Sequence, residues 1–360
     1  PPAPAVSAEA AALIDVRSGR IIYSKNGDEP RLIASLTKIM TAIVAIEYGD
    51  LSDRVKVGRN AFGKEGSSLY LQLGEEMSLE NMLYGLMLRS GNDAATAIAE
   101  HVGGSVEGFA YLMNRKAEEL GLAHTHFVNP HGLDEEGHYA SANDLARLTA
   151  YALRNPTFQE IVRTPVKTVP NPNGKWNYRW RNKNKMLLFY EGADGVKTGY
   201  TKAAGRGLVS SATRNGQQLA VVTLNAPNDW SDHTALLNYG FAHYPLETIV
   251  RKGQKLDHTA LVPAASVVYP LAEAEKGGVR LIVQPDRGPE RVDNVRFGVR
   301  GKLVIELNGR TIATVDLIEP AEDSPVSSLR AGPWERLRSQ LATYFARLPD
   351  AVRTVWRALV

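Results

Sequence analysis

The chain has 360 residues, 44% hydrophobic and 22% charged, which is enough for about two domains and excludes a disordered, collagen-like or coiled-coil protein. It contains no cysteine, which excludes disulfide scaffolds, thiolate zinc sites and cysteine nucleophiles. The formal net charge is +3, and residues 333–360 account for all of it, leaving 37 basic and 37 acidic residues elsewhere. A neutral body argues against nucleic acid as a partner.

The first two thirds of the chain mix short strands with apolar helices. A hairpin is predicted around Arg17-Ser18-Gly19-Arg20, between the mostly apolar segments 12–16 and 21–23. Apolar periodicity predicts helices over 36–48, 79–88, 94–101, 106–120, 143–153 and 230–244. Between the last two, Asn215-Gly216 predicts a second hairpin, with strands over 207–212 and 218–224.

Short alternating segments replace the helical pattern from about residue 246. Strands are predicted over 279–283, 295–299, 303–307 and 311–317, with the turn Asn308-Gly309 between the last two. We therefore predict an α+β domain over residues 1–245, a small β-rich domain over 246–320 and a polar linker over 321–332.

The last segment, residues 333–360, has the pattern of a basic amphipathic helix, interrupted at Pro349. Its apolar positions recur at helical spacing: Trp334, Leu337, Leu341, Phe345, Leu348, Val352, Val355, Trp356 and Leu359. Aromatic residues combined with five arginines favour attachment to an anionic membrane surface. The alternative is a helix that packs against its own domain.

Two features of the sequence bear on the location of the protein. The sequence begins Pro1-Pro2-Ala3-Pro4 without a methionine, which we interpret as a processed end. There is no run of about 18 apolar residues, so no membrane-spanning helix is expected.

A serine and a lysine three residues apart are the first candidates for chemistry. Ser35-Leu36-Thr37-Lys38 opens an apolar helix, and this spacing puts both side chains on one face. A lysine can take the proton of a serine only if burial or other cations lower its pKa, and an apolar helix supplies burial. The alternative is a serine that caps the helix beside a lysine whose amine reaches solvent.

Two further motifs follow in order. Ser90-Gly91-Asn92 lies between two predicted apolar helices, where a short buried connection could direct polar groups into a cleft. Lys197-Thr198-Gly199 is predicted on an edge strand, where the cation, the hydroxyl and a glycine that permits close approach could bind a peptide ending in a carboxylate. Each motif is weak alone, but S-x-x-K, S-x-N and K-T-G in this order are the signature of β-lactamases and penicillin-binding proteins.

With these motifs the chain resembles the low-molecular-mass penicillin-binding proteins that act as D-alanyl-D-alanine carboxypeptidases, over nearly its whole length. Other matching segments are Thr125-His126-Phe127, His131-Gly132-Leu133-Asp134 and Asp194-Gly195-Val196 before K-T-G. The resemblance implies a transpeptidase-like domain, with an antiparallel sheet packed with helices, followed by the β-rich domain and the amphipathic helix. It also implies an exported enzyme at the outer face of the cytoplasmic membrane, without cofactor or metal.

The resemblance assigns roles to eight residues. Ser35 would attack the carbonyl between two terminal D-alanines of a peptidoglycan stem peptide, Lys38 would take its proton, and Ser90 with Asn92 would relay protons and hold the peptide. Lys197 and Thr198 would bind the terminal carboxylate, with Gly199 beside them. The backbone amides of Ser35 and Tyr200 would form the oxyanion hole. β-Lactams would acylate the same serine. Two positions depart from the family pattern. Family members often have histidine directly after K-T-G, where this chain has Tyr200, and an arginine in the upstream segment that corresponds to residues 181–185.

Three other functions remain open from the residues. A β-lactamase needs a deacylating base, but residues 131–141 contain Asp134, Glu135 and Glu136 without the E-x-x-L-N pattern. A zinc peptidase could use the neighbouring histidines, although H-E-x-x-H is absent; these are His124, His126, His131 and His138. A wall-binding or penicillin-sensing protein would be acylated without turning over.

Overall fold

The computed structural model describes residues 2–286 and 298–320. Its strands are β1 (Ala10–Asp15), β2 (Ile21–Lys25), β3 (Arg54–Lys56), β4 (Glu76–Ser78), β5 (Val166–Val169), β6 (Tyr178–Arg181), β7 (Ala193–Thr201), β8 (Gly205–Arg214), β9 (Gln217–Leu224), β10 (Leu246–Val250), β11 (Val262–Pro263), β12 (Val267–Pro270), β13 (Val279–Pro285), β14 (Val299–Leu307) and β15 (Arg310–Ile318). Its α-helices are α1 (Lys38–Tyr48), α2 (Leu79–Arg89), α3 (Asn92–Gly103), α4 (Val106–Glu119), α5 (Ala142–Leu153), α6 (Pro156–Arg163), α7 (Met186–Phe189) and α8 (Asp229–His243). Short 3-10 helices span Ala34–Thr37 and Glu273–Gly278.

A five-stranded antiparallel sheet, in the order β2-β1-β9-β8-β7, is the framework of the larger of two units, Pro1–Glu247 with Tyr269–Ala274. Every residue of β1 is buried, because both faces of the sheet are covered. Ala10, Ala12 and Ile14 point to one hydrophobic cluster, and Ala11 and Leu13 point to another, as the two-residue period of a strand requires. The predicted antiparallel sheet packed with helices is therefore confirmed.

Helices cover the two faces unequally. The first cluster takes residues from α1 to α6, whereas the second takes residues from α7 and α8. Helix α1 is buried on all sides over residues 38–45 and carries Ile39, Met40 and Ile43 at no more than 1% exposure. The predicted helices all occur with ends shifted by two residues at most. Helices α6 and α7 and the antiparallel strand pairs β3–β4 and β5–β6 are additions to the prediction.

A smaller β-rich unit comprises Thr248–Val268 and the described residues from Glu275 onward. Its four-stranded antiparallel sheet has the order β11-β15-β14-β13 and a core built around Leu303, Ile305 and Leu317. The predicted turn Asn308-Gly309 is confirmed, with both residues in the left-handed region.

Three predictions in the C-terminal part fall partly or wholly outside the described residues. Of the predicted strand 295–299, residues 295–297 lie outside them, and Val299 belongs to the same strand as 303–307, so the separation of these two strands was wrong. The linker 321–332 and the amphipathic helix 333–360 lie outside the described residues. No helix in the described part of the chain is long and apolar enough to cross a membrane.

One close contact in the larger unit fixes the turn before α1. Gly132 has φ +93°, and a Cβ there would lie 1.8 Å from the carbonyl oxygen of Ala34 and 3.0 Å from the backbone nitrogen of Ser35. Ala34 itself has φ +49°, an uncommon conformation for a residue with a Cβ. The loop containing Gly132 therefore holds the backbone of Ala34 and Ser35 from outside.

We expect Gly132→Ala to destabilise the protein by about 3 kcal/mol, since left-handed strain is added to a backbone clash. Gly216→Ala is the matched control, because Gly216 has φ +77° with no atom within 4 Å of the position that a Cβ would take, and it should cost only about 1 kcal/mol. Urea denaturation of both variants measures the difference. Equal losses would show that the contact with Ala34 does not constrain the turn.

Candidate active site

Ser35 lies in the 3-10 helix that leads directly into α1. No side chain caps this helix or α1, so the interpretation of Ser35 as a helix cap is wrong. The Oγ atom of Ser35 lies instead 2.9 Å from Nζ of Lys38, the first residue of α1. The predicted pairing on one face is thus observed at hydrogen-bond distance.

The Lys38 amine is fully buried and surrounded by oxygen atoms. Besides Ser35, its Nζ lies 3.0 Å from Ser90 Oγ, 2.6 Å from Asn92 Oδ1 and 2.9 Å from the backbone oxygen of His131. An ammonium has three protons and cannot donate to all four. A neutral amine donates to the two carbonyl oxygens and keeps a lone pair for a hydroxyl proton.

Burial is the main reason that the pKa of Lys38 is lowered well below its ordinary value. The positive charges of Lys197 and Lys183 lower it further, while Asp93 acts in the opposite direction. The Lys38 side chain is therefore suited to act as a general base toward Ser35.

Ser90 and Asn92 come from the turn between α2 and α3. Ser90 is buried with φ +60°, and Asn92 begins α3. The Nδ2 atom of Asn92 donates to the backbone oxygen of Glu65 at 2.8 Å, which directs Oδ1 toward Lys38. Gly66 allows this approach, because a Cβ there would lie 2.6 Å from that Nδ2.

Asp93 is a structural residue of the site that the sequence analysis did not single out. Its carboxylate is 1% exposed and accepts hydrogen bonds from the backbone nitrogens of Leu69 and Leu71 and the hydroxyl of Ser68. It thereby holds the segment 67–71 against the start of α3. An acid directly before the helix predicted over 94–101 was visible in the sequence, but its distant partners were not.

The K-T-G segment lies on β7, an outer strand of the sheet among the described residues, as predicted. Gly199 runs close to the nucleophile: a Cβ there would lie 3.1 Å from the backbone nitrogen of Ser35. Thr198, Gly199 and Tyr200 line the cleft in front of Ser35. Lys197 does not line it.

Lys197 is buried behind the cleft and donates to the backbone oxygen of Thr198 at 2.7 Å. Burial, together with the charge of Lys183, lowers its pKa to about 7. Because it is buried, Lys197 is less accessible to a bound carboxylate than the sequence predicted. Because its pKa is about 7, its charge changes near neutral pH.

The cleft has a volume of about 630 Å³. It is lined by Ser35, Ser67, Ser90, Lys183, Lys185, Thr198, Gly199, Tyr200, Arg206, Gly207, Asp229 and Trp230. Among these residues the one acid, Asp229, is paired with Arg206 at 2.9 Å, so the surface favours an anionic ligand. A larger groove of about 820 Å³ contains none of the predicted site residues.

The cations Lys183, Lys185 and Arg206 were not among the predicted site residues. Lys183 and Lys185 belong to a segment noted only as a departure from the family pattern, and Arg206 reaches the cleft through its register opposite Tyr200. Only the pairing of β7 with β8 could have indicated the position of Arg206.

The acidic residues considered for a deacylating base do not line the cleft. Asp134 accepts from Thr201 at 3.0 Å, and Glu135 accepts from Asn129 at 3.0 Å. The neighbouring histidines contribute to the same loop: Nδ1 of His131 accepts from the backbone of Leu133, and that of His138 accepts from the backbone of Val128.

Comparison with known proteins gives consistent matches. The sequence profile of the D-alanyl-D-alanine carboxypeptidase family matches residues 1–228. The chain is 37% identical over 255 residues to the D-alanyl-D-alanine carboxypeptidase DacF of Bacillus subtilis, covering 69% of this chain and 65% of that protein. It is 30% identical over 347 residues to DacA of Haemophilus influenzae, covering 87% and 84%.

Solved structures extend the similarity beyond the catalytic unit. The crystal structure of penicillin binding protein 5 from Haemophilus influenzae superposes with a TM-score of 0.73 at 28% identity. The alignment covers 89% of this chain and 98% of that one.

Proposed function

Because this chain belongs to the family of D-alanyl-D-alanine carboxypeptidases, we propose that it removes the terminal D-alanine from peptidoglycan stem peptides through an acyl-enzyme on Ser35. The observation that carries the proposal is the buried Lys38 amine, 2.9 Å from the Ser35 hydroxyl. The same serine would be acylated by β-lactams, which inhibit the enzyme.

Acylation begins when neutral Lys38 accepts the proton of Ser35 as Oγ attacks the penultimate carbonyl carbon. The backbone amides of Ser35 and Tyr200 stabilise the oxyanion, a contribution of roughly 10²–10³ in rate per donor. The proton passes from Lys38 through Ser90, 3.0 Å away, to the departing amine. The C–N bond breaks, D-alanine leaves, and water then hydrolyses the ester to restore Ser35.

The peptide lies along the edge of β7, where Gly199 permits close approach. The Thr198 hydroxyl binds its terminal carboxylate, with the Lys197 charge behind it. Lys183 and Lys185 supply the surrounding positive field, since Arg206 is paired with Asp229.

Intact mass spectrometry after addition of benzylpenicillin tests the acyl-serine. We expect one adduct that persists for minutes and is absent from Ser35→Ala, since only the serine oxygen forms the ester. Released D-alanine from a D-Ala-D-Ala peptide is measured in parallel. Rapid loss of the adduct with accumulating penicilloate would support a β-lactamase, an adduct without D-alanine release a penicillin sensor, and no adduct would contradict the acyl-serine.

Lys183→Gln should move the pH profile of acylation to higher pH. Removing this cation raises the pKa of Lys38, so a higher pH is needed to neutralise the base. It also raises the pKa of Lys197, so that residue keeps its charge to a higher pH. Acylation rates at saturating penicillin, measured from pH 5 to pH 10, give the rising and the falling part of the profile. Lys185→Gln, at an exposed cation of the same cleft, should leave the profile in place; an unmoved profile in the Lys183 variant would contradict this electrostatic coupling.

We further propose that the enzyme is exported and attaches to the outer face of the cytoplasmic membrane through residues 333–360. The sequence of this segment supports the proposal, since it combines a face of aromatic and aliphatic residues with five arginines.

Sedimentation with vesicles tests the attachment. The full chain should bind vesicles rich in anionic lipid and lose this binding on deletion of residues 333–360, because the charge and the apolar face are removed together. Vesicles of neutral lipid serve as the control. Equal binding by the shortened chain would contradict the assignment of the anchor.

A further inference from the structure

His138 is a buried titratable residue for which the proposed mechanism has no role. Its side chain is 2% exposed and packs edge-on against Phe127, with ring centroids 5.7 Å apart. Its two ring nitrogens contact different segments. Nδ1 lies 3.0 Å from the backbone nitrogen of Val128, and Nε2 lies 2.7 Å from Oγ1 of Thr37, the residue directly before Lys38.

The contact with Val128 fixes where the ring carries its proton. A backbone N–H can only donate, so Nδ1 of His138 must be the acceptor. The neutral ring then carries its proton on Nε2 and donates it to the hydroxyl of Thr37. Burial favours the neutral ring, because it lowers the pKa of His138 to about 4. A second proton would place two N–H groups against each other at Val128.

This ring belongs to a loop that contacts the start of α1 at several points. The hydroxyl of Thr41 donates to the backbone oxygen of Pro130 at 2.6 Å, and Lys38 donates to that of His131 at 2.9 Å. Among the described residues of this loop, His138 contacts Thr37, which lies between the nucleophile and the base in the sequence. A shift of Thr37 would move Ser35 and Lys38 relative to the His131 carbonyl.

We propose that His138 is a positioning residue for acylation. Its Nε2–H bond to Thr37 holds the turn that carries Ser35 and Lys38 in register with the loop that supplies the His131 carbonyl. The inference rests on the proposed function, because its readout is acylation of Ser35. A displacement of about 1 Å between reacting groups can cost on the order of 100-fold in rate, so loss of this bond should be visible kinetically.

Two amide substitutions separate the two hydrogen bonds of the ring. Glutamine reaches the position of Nε2, so His138→Gln keeps a donor to Thr37 and loses the acceptor for Val128. Asparagine reaches the position of Nδ1, so His138→Asn does the reverse. Both variants lose one buried hydrogen bond, and we expect a similar fall in thermal stability from each.

Their acylation rates should differ. At saturating fluorescent penicillin, we expect His138→Gln to be acylated within about threefold of the wild-type rate constant and His138→Asn at least about tenfold more slowly, with penicillin affinity little changed in both. Equal rate constants for the two variants would overturn the inference, because a merely structural role affects both alike.

Thr37 provides the same test from the other side. Thr37→Ser keeps the hydroxyl and should retain the rate, whereas Thr37→Val removes it and should match His138→Asn. The double variant Thr37→Val with His138→Asn should be no slower than either alone, because both remove one interaction. Additive losses would contradict the pairing.

A spectroscopic readout is independent of activity. The ¹⁵N shifts of His138 in the full chain, assigned by comparison with His138→Gln, should show Nε2 protonated and Nδ1 unprotonated at neutral pH. The opposite tautomer would overturn the assignment. A wild-type protein that is not acylated at all would contradict the proposed function itself, and the inference with it.

Discussion

The arrangement of this site depends on the burial of the Lys38 amine. A charged and unpaired ammonium inside the protein would cost several kcal/mol, so the fold must either pair Lys38 or keep it neutral. Within the described residues no carboxylate contacts its Nζ; the neighbouring atoms are carbonyl oxygens of Asn92 and His131 and hydroxyls of Ser35 and Ser90. This environment stabilises the neutral amine, and a neutral amine beside a serine hydroxyl is the base that acyl transfer requires.

Convergence of three segments on one amine imposes unusual backbone conformations. Ala34, Ser90 and Gly132 all have positive φ, and each lies where a segment turns toward Lys38. For the two residues with a side chain, such conformations cost of order 1–3 kcal/mol each and persist when the surroundings leave no alternative. The sheet, covered by helices on both faces, and the buried first two turns of α1 provide those rigid surroundings.

The sequence predicted the groups of the site better than their surroundings. The helical spacing of Ser35 and Lys38, the buried turn at Ser90 and the edge strand of K-T-G follow from local patterns, and the structure has all three. The carbonyl of His131 could not be predicted, because a backbone oxygen has no side-chain signature and lies 93 residues from Lys38. His138 was considered only as a possible metal ligand, since its partner Thr37 is 101 residues away.

The positive charges in the cleft and directly behind it have two effects that act in sequence. In the free enzyme, the charges of Lys197 and Lys183 add to burial in keeping Lys38 neutral. When an anionic peptide binds as proposed, its carboxylate partly cancels those charges, and the proton affinity of Lys38 rises as Ser35 gives up its proton. Burial is the largest cause of the lowered pKa and does not depend on the ligand, so the base stays unprotonated until the reaction supplies the proton.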